Sequence, residues 1–411
     1  MPAPDDELVL NQHKLSLLAG RRLYFVGIGG SGMSAYANVA LAYGADVRGW
    51  ELRDTIFTRA LSPEISVDLG GEPRPPDEWE VVVSTAHRDR IDGVPRAAFL
   101  AELVAARPSI VVAGAHGKTT TAGMIAYGLR ELGDDPSWII GGVIPQLGGN
   151  AHVGSGWLVV EGDESDRSVF LLAPRIAIVT NLELDHHASY SSEAELRRVF
   201  DGWLERVPEV VRSWELAPFD GKLAVPGKHN LRNAAAGIEA LTRAGYERGA
   251  AAAAISRFAG AQRRFELVGE RGGITVYDDY GHNPTELRVT LETARERTPR
   301  RLVAVYQPHV VERTRRLHRE LGEALGLADV AIVTDIIGAR DTARPGVTGR
   351  LVLDGVPDPT RRIWAPTLDD AASLALRIVR PGDLVVTLGV GEPWKIAEAI
   401  VAGLPDRVGS Q

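Results

Sequence analysis

One run of eight residues constrains this chain more than any other: Gly114-Ala115-His116-Gly117-Lys118-Thr119-Thr120-Thr121. It joins an apolar strand, SIVVAG (109–114), to a helical stretch, TTTAGMIAYGLREL. A strand that turns through glycines into a helix presents backbone amides and a helix N-terminus at its carboxyl end, which together cradle phosphates. Lys118 is set to reach β- and γ-phosphates, and the Thr119 hydroxyl to hold Mg²⁺. The loop departs from the usual G-x-x-x-x-G-K-[ST] spacing, because Val112 occupies the first glycine position and the glycine falls at 114. The chain has only five lysines, Lys14, Lys118, Lys222, Lys228 and Lys395, which makes a lysine at this turn a candidate for a place that needs a compact ammonium.

Two further strands, WLVVEGDES (157–165) and RIAIVTNLELDHH (175–187), follow the loop in sequence and end in polar residues. Sites in open parallel sheets sit at the carboxyl ends of strands. Glu161 is placed there to hold Mg²⁺ directly or through water, and His186, beside Asp185, to ligate a second cation or contact a phosphate. Alanine-rich helices follow at 231–244 and 249–259.

The first segment also opens as a βαβ unit, RRLYFVGIGG into SAYANVALAYG and then ADVRGWE. Gly27, Gly29 and Gly32 fit G-x-G-x-x-G, with Glu51 near the end of the next strand. This loop suits a diphosphate, and by itself leaves open whether that belongs to a nicotinamide dinucleotide, with Glu51 on a ribose hydroxyl, or to a UDP-sugar. From about Arg263 the chain alternates again, through GITVYDDY, RLVAVYQPH, DVAIVTDI and DLVVTLGVG, as a doubly wound unit. At 411 residues, two or three domains are expected.

Composition removes several classes. A net charge of -8 argues against general affinity for nucleic acid or anionic membranes. The absence of cysteine excludes disulfides and thiolate metal sites. The first residues carry acids where a secretory signal carries bases, and no stretch of 18 apolar residues follows, so a cytoplasmic protein without membrane insertion is expected.

Taken in order, GIGGSGMSA (27–35), GAHGKTTTAGMIA (114–126), EGDESDRS (161–168), TNLELDHH (180–187), PGKHNLRNAAAGIEA (226–240), RRFE (263–266), DDYGHNPTEL (278–287), QPHVVERTR (307–315) and GDLVVTLGVGE (382–392) closely resemble the Mur ligase family. The resemblance implies an α/β fold of three domains: a Rossmann-like UDP-sugar domain (1–106), a central P-loop ATP domain (107–262) and a Rossmann-like C-terminal domain (263–411). It implies an ATP-dependent ligase, with Mg²⁺, joining L-alanine to the carboxylate of UDP-N-acetylmuramate, as a monomer or weak homodimer. By the same resemblance Gly29, Gly30, Ser31, Gly32 and Met33 meet the UDP-sugar diphosphate, with Glu51 and Ser84 in the same site. Gly114, His116, Gly117, Lys118, Thr119 and Thr120 hold ATP phosphates. Thr119 and Glu161 take the first Mg²⁺ and His186 the second. His229, Asn230 and Asn233 lie at the adenine, and Asp278 also belongs to the ATP site. Tyr280, His282, His309 and Arg313 face the amino acid.

The chain also departs from the family. Trp203 to Val225 is much shorter than usual, which predicts loss of part of the central sheet. SEAELRRVFDGW lacks the lysine that is carbamylated in members adding later amino acids, as expected of the alanine-adding branch. Asn283 and Val310 stand where many relatives have a second histidine and several have a basic residue. Three rival readings remain. One is a recycling ligase that adds a preformed peptide, whose relatives read DEYD where this chain has DESD. The others are a non-catalytic UDP-sugar-binding regulator and, on the first loop alone, an NAD-dependent oxidoreductase.

Overall fold

A computed structural model describes residues 17–55, 57–184, 189–298, 300–337 and 345–406. These fall into two compact units, residues 1–225 with 230–261, and residues 226–229 with 262–411.

The first unit contains two sheets. Its amino-terminal half runs β1 (Arg22–Val26), α1 (Ser31–Ala42), β2 (Asp46–Glu51), β3 (Ser66–Leu69), β4 (Glu80–Val83), β5 (Val94–Pro95) and α2 (Arg96–Ala105). The strands pair in parallel in the order β3-β2-β1-β4-β5, so the chain reverses its direction of travel beside β1. Such a reversal opens a crevice at the carboxyl ends, where the loop after β1 lies.

The second sheet is built from β6 (Ser109–Ala113), α3 (Lys118–Glu131), β7 (Ser137–Ile144), β8 (Gly149–His152), β9 (Leu158–Glu161), β10 (Ile176–Val179), α4 (Glu193–Leu204) and β11 (Glu209–Arg212). Helices α5 (Lys228–Arg243) and α6 (Arg248–Ser256) follow. The order is β11-β10-β6-β9-β7-β8, parallel except for β8. β6 is buried along its whole length, as a central strand covered on both faces must be, which accounts for its unbroken apolar run. Between β11 and α5 the described chain forms only a 3₁₀ turn (Ser213–Glu215) and irregular backbone, so β11 is the edge on that side.

One hydrophobic cluster runs through both sheets of this unit, from Leu23, Phe25 and Phe99 to Val111, Ile139, Phe200 and Trp203. Buried Arg107, at the crossing from one sheet to the other, donates to Tyr43 Oη (2.8 Å), Ser137 Oγ (2.8 Å) and the Gly154 carbonyl (2.9 Å). These bonds from a buried guanidinium tie the end of α1 to β7 and to the chain after β8.

The second unit comprises β12 (Glu266–Arg271), β13 (Ile274–Asp279), α7 (Pro284–Arg297), β14 (Leu302–Tyr306), α8 (Val311–Leu325), β15 (Val330–Val333), α9 (Arg350–Asp354), β16 (Arg362–Trp364), α10 (Leu368–Ile378), β17 (Leu384–Leu388) and α11 (Pro393–Gly403). Its order is β12-β13-β17-β14-β15-β16, with β12 antiparallel to β13 and the others parallel. Asn283 caps α7 by accepting from Glu286 N (2.9 Å), and Pro284 follows at the first helical position, where its missing N–H costs nothing. Among the described residues no helix is long and apolar enough to cross a membrane.

Trp203 is fully buried, donates its indole N–H to the Leu172 carbonyl (2.8 Å) and meets Phe170 and Phe200 edge-on. Trp203→Ala should destabilise the first unit by roughly 3–5 kcal/mol. Urea unfolding followed by far-UV dichroism checks this, and a shift below about 1 kcal/mol would contradict the shared core.

Candidate functional site

The turn from β6 into α3 uses two left-handed glycines, Gly114 (φ 126°) and Gly117 (φ 80°). A side chain at 114 would collide with Thr180 Oγ1 and with the Asn181 carbonyl oxygen at 2.8 Å, and one at 117 would meet Asn233 Oδ1 at 2.8 Å. Glycine is therefore required twice over, by conformation and by space. The residues causing the crowding also hold the loop. Asn181 Oδ1 accepts from Ala115 N (3.1 Å) and His116 N (3.2 Å), and its amide donates to the His116 carbonyl (2.8 Å). Thr180 Oγ1 lies 2.7 Å from the same carbonyl.

Lys118 Nζ donates to the carbonyls of Gly114 (2.6 Å) and Ala115 (3.2 Å) and pairs with buried Glu164 at 3.0 Å. Burial alone would lower the pKa of this ammonium, but the carboxylates of Glu164, Glu161 and Asp163 outweigh it and hold the pKa above the ordinary lysine value. Thr119 Oγ1 donates to Glu161 Oε1 (3.0 Å), whose other oxygen accepts from Gly141 N (2.7 Å). A hydroxyl and a carboxylate oxygen side by side at the mouth of a phosphate loop are the hard-oxygen donors Mg²⁺ takes. Among the described residues no group of three or more His, Asp or Glu forms a metal cage. His186 lies outside the described residues. Thr120 is buried in the first turn of α3, and His116 Nδ1 lies 3.6 Å from Glu183.

The stretch after β9 faces two ways. Glu161 and Glu164 meet Thr119 and Lys118, whereas Asp163 and Asp166 meet Arg96, the first residue of α2, at 2.6 and 2.7 Å. Asp166 Oδ2 also accepts from Thr85 Oγ1 (2.8 Å), just after β4. Although burial opposes ionisation, Arg96 and the Ser165 donors hold the Asp163 carboxyl down at about 2. Beside this group, burial pushes the Tyr36 phenol up to about 12.

In the first glycine loop, Glu51 Oε2 accepts from Gly29 N (2.9 Å) and Oε1 from Leu52 N (2.8 Å), so the carboxylate braces the loop. A side chain at 29 would strike Glu51 (2.8 Å) and Thr58 (2.9 Å). At Gly30, where α1 begins without a side-chain cap, nothing comes closer than 3.6 Å, leaving that face of the loop open. Ser84 lies against Gly27, with its Oγ 2.5 Å from where a Cβ there would stand. The Ser31 side chain is outside the described atoms, Gly32 lies in the first turn of α1, and the Met33 side chain is buried in the core.

Asn230 and Asn233, in the first turns of α5, are buried and bonded to each other (2.9 Å), with Asn233 against Gly117 of the phosphate loop. His229 belongs to the second unit, where it lies against Gly227. In that unit Asp278 is fully buried, accepting from Arg263 Nε (2.8 Å) and Thr387 Oγ1 (2.5 Å). Arg263 and Arg264 lie over the Tyr280 ring at 5.0 and 5.2 Å, and His282 meets its edge. His282 Nδ1 is 3.2 Å from Glu286. His309 forms an isolated bridge with Ile337, and Arg313 lies in the first turn of α8.

Thr180, Asn181, Glu164 and Arg96 were not singled out from sequence. The first three lay inside stretches already marked, and polar residues directly after a buried strand were the available signal. Arg96 carried none, being one arginine among many at a helix start.

The chain matches the model described as Mur ligase family, catalytic domain, over residues 22–108, and that described as Mur ligase, glutamate ligase domain, over 263–391. It is 35% identical to a UDP-N-acetylmuramate–L-alanine ligase of Rubrobacter xylanophilus, covering 93% of this chain and 100% of that protein. Another ligase of that name, from Syntrophotalea carbinolica, is 36% identical over 94% of this chain and 99% of its own length. The first alignment spans 446 residues, more than the 411 of this chain, so the relative carries segments absent here. Among solved structures, the UDP-N-acetylmuramate-alanine ligase of Thermotoga maritima superposes with a TM-score of 0.76 at 25% identity, covering 93% of this chain and 98% of that one.

Asp279 gives the second unit a pH signature. Its carboxylate accepts from Phe265 N (2.8 Å), Gly281 N (2.7 Å) and Thr290 Oγ1 (3.1 Å). Burial nevertheless pushes its pKa from 3.8 up to about 6, against the pull of Arg264 and the amide donors. The folded state keeps a proton that the unfolded chain has lost. The associated stability is complete below about pH 4 and disappears as pH rises through about 6, a loss of roughly 3 kcal/mol. Denaturant unfolding of the second unit's transition should show this fall, and Asp279→Asn should flatten it. Parallel curves for the two proteins from pH 4 to 7 would refute the assignment.

Proposed function

Because the chain belongs to the Mur ligase family, we propose that it joins L-alanine to the lactyl carboxylate of UDP-N-acetylmuramate, driven by ATP, in peptidoglycan precursor synthesis. The observation carrying this reading is the pairing of Lys118 with Glu164 and Thr119 with Glu161 around a phosphate loop, in a chain aligned almost end to end with alanine ligases. In this reading residues 1–106 bind the UDP-sugar, 107–262 bind ATP, and 263–411 bind the amino acid and ATP. A cytoplasmic enzyme, monomeric or weakly dimeric, is part of the same proposal, since ATP and UDP-sugars are cytoplasmic.

A carboxylate resists attack by an amine until one of its oxygens becomes a leaving group. The lactyl carboxylate oxygen attacks the γ-phosphorus, the bond to the ADP oxygen breaks, and an acyl phosphate forms. The alanine amine then attacks the acyl carbon, phosphate departs, and the nitrogen loses a proton to leave the amide. The chain contributes positioning and charge. Lys118 places an ammonium where the γ-phosphoryl oxygens gather charge, and the N-terminus of α3 faces the phosphates. Thr119 and Glu161 would hold one Mg²⁺ and His186 a second, and bound there the ions would neutralise charge on the phosphate oxygens. Gly29, Gly30 and Gly32 admit the UDP-sugar diphosphate to the backbone at the start of α1. Asn230 and Asn233 serve the adenine, and Tyr280, His282, His309 and Arg313 the incoming amino acid.

The choice of a single amino acid over a preformed peptide is supported by Ser165, whose Oγ donates to Asp163 Oδ1 (2.5 Å). A tyrosine hydroxyl, as in DEYD, stands too far from its own backbone to make that short turn bond.

Phosphate release from ATP and Mg²⁺ with UDP-N-acetylmuramate, measured across single amino acids and the tripeptide, tests the proposal. Release is expected only when the sugar nucleotide and L-alanine are both present. Lys118→Ala should lose activity by at least on the order of 10²–10³-fold while still binding the UDP-sugar. No release with any acceptor would sink the ligase reading, and release with the tripeptide alone would reassign the branch.

A further inference from the structure

One side chain stands between the two glycine loops of the first unit. Arg96 is the first residue of α2, and its guanidinium is largely buried. Its Nη2 donates to Asp163 (2.6 Å) and Asp166 (2.7 Å), and its Nε to Thr85 Oγ1 (3.0 Å). Its Nη1 stands 3.4 Å from where a Cβ of Gly32 would lie, so the guanidinium sits at the first turn of α1, beside the open glycine loop. On the other side, Asp163 and Asp166 alternate with Glu161 and Glu164, the partners of Thr119 and Lys118.

The connecting stretch is stiff. Asp163 Oδ1 accepts from Ser165 N (2.9 Å), Asp166 Oδ1 from Ser168 N (3.0 Å), and the Asp163 carbonyl from Ser168 Oγ (3.0 Å). Tyr190 donates to the Glu164 carbonyl at 2.6 Å. A turn bonded to itself this way moves as a body, so a displacement of Arg96 reaches Glu161 and Glu164. Arg96 already faces two carboxylates, which suits it to hold this turn rather than to bind a free anion.

We propose that Arg96 is a positioning residue that couples occupancy of the first glycine loop by a sugar nucleotide to the setting of Lys118 and Thr119 in the phosphate loop. This rests on the ligase reading above. The coupling is reciprocal, each nucleotide tightening the binding of the other.

Calorimetric titration of the full chain with a non-hydrolysable ATP analogue and Mg²⁺, with and without saturating UDP-N-acetylmuramate, tests it. In the wild type the sugar nucleotide should tighten analogue binding about fivefold or more. In Arg96→Ala the ratio should fall to about one. Arg96→Lys keeps the charge but cannot span both carboxylates and Thr85, so it should recover part of the ratio. Asp166→Asn leaves Asp163 in place and should give an intermediate value. It and Arg96→Lys decide the matter if Arg96→Ala does not fold. A purely structural arginine would lower stability in these variants and leave the ratio unchanged. A wild-type ratio of one, or an undiminished ratio in the variants, overturns the coupling while leaving the ligase intact. Failure of the wild type to bind either nucleotide would instead bring down the ligase reading, and this inference with it.

Discussion

The carboxyl edge of the second sheet depends on holding residues 114–117 in a shape that side-chain-bearing residues avoid. Gly114 and Gly117 adopt positive φ, and glycine loses more backbone freedom on ordering than any other residue. The loop keeps its shape because its neighbours offer hydrogen bonds only in that shape. Asn181 takes two loop amides and gives one bond back, and Thr180 reaches the His116 carbonyl. Asn233, from α5, closes the space beside Gly117. Strand β10 thus supplies the clamp for a loop that follows β6, which requires the parallel pairing of Ile176 with Ile110 through Val179 with Ala113. A one-residue slip in that register would turn Thr180 and Asn181 away from the loop.

Charge is concentrated beside the clamp. Four carboxylates, Glu161, Asp163, Glu164 and Asp166, lie within six residues and face Lys118 and Arg96. Removing so many charges from water is tolerable only when each is paired and hydrogen-bonded. The two bases divide the work by shape. Arg96 uses its planar fork to span two carboxylates and a hydroxyl. Lys118 places a compact ammonium inside the loop, against the carbonyls of Gly114 and Ala115.

Legibility in the sequence followed the range of the determining interaction. The alternation of strands and helices, and the loops after β1 and β6, were readable because local periodicity and glycine placement dictate them. The shortening between Trp203 and Val225 was legible only against the family pattern, and the stretch still supplies β11 (Glu209–Arg212) to the edge of the sheet. Contacts bridging distant segments were not readable. Arg96 and Asp166 are 70 residues apart, and nothing around either one signals the other. Nor did the sequence show that the first two sheets share a core, because the apolar faces of α1 and β7 look the same whichever partner they meet.

Acids at strand ends show a second limit. Glu51 and Asp278 were read as ligand contacts, and each also carries bonds within the protein that the sequence did not show: Glu51 from Gly29 N and Leu52 N, Asp278 from Arg263 and Thr387. A carboxylate has acceptor capacity for both a loop and a ligand, and only partners at hydrogen-bond distance reveal the first role. The departures from the family pattern yield to the same test. Asn283 caps α7, and the cap sets Glu286, whose carboxylate accepts from His282 N (3.0 Å) and lies 3.2 Å from its ring. An asparagine therefore still orders the histidine before it. Val310 is harder to accommodate, since a β-branched residue at φ 69° carries strain of roughly 1–3 kcal/mol. It is gripped from both sides, its N–H donating to Ile337 O (3.3 Å) and its carbonyl accepting from Thr314 N (3.1 Å). Strain so tightly over-determined, between His309 and Arg313, fixes the direction in which that loop enters α8.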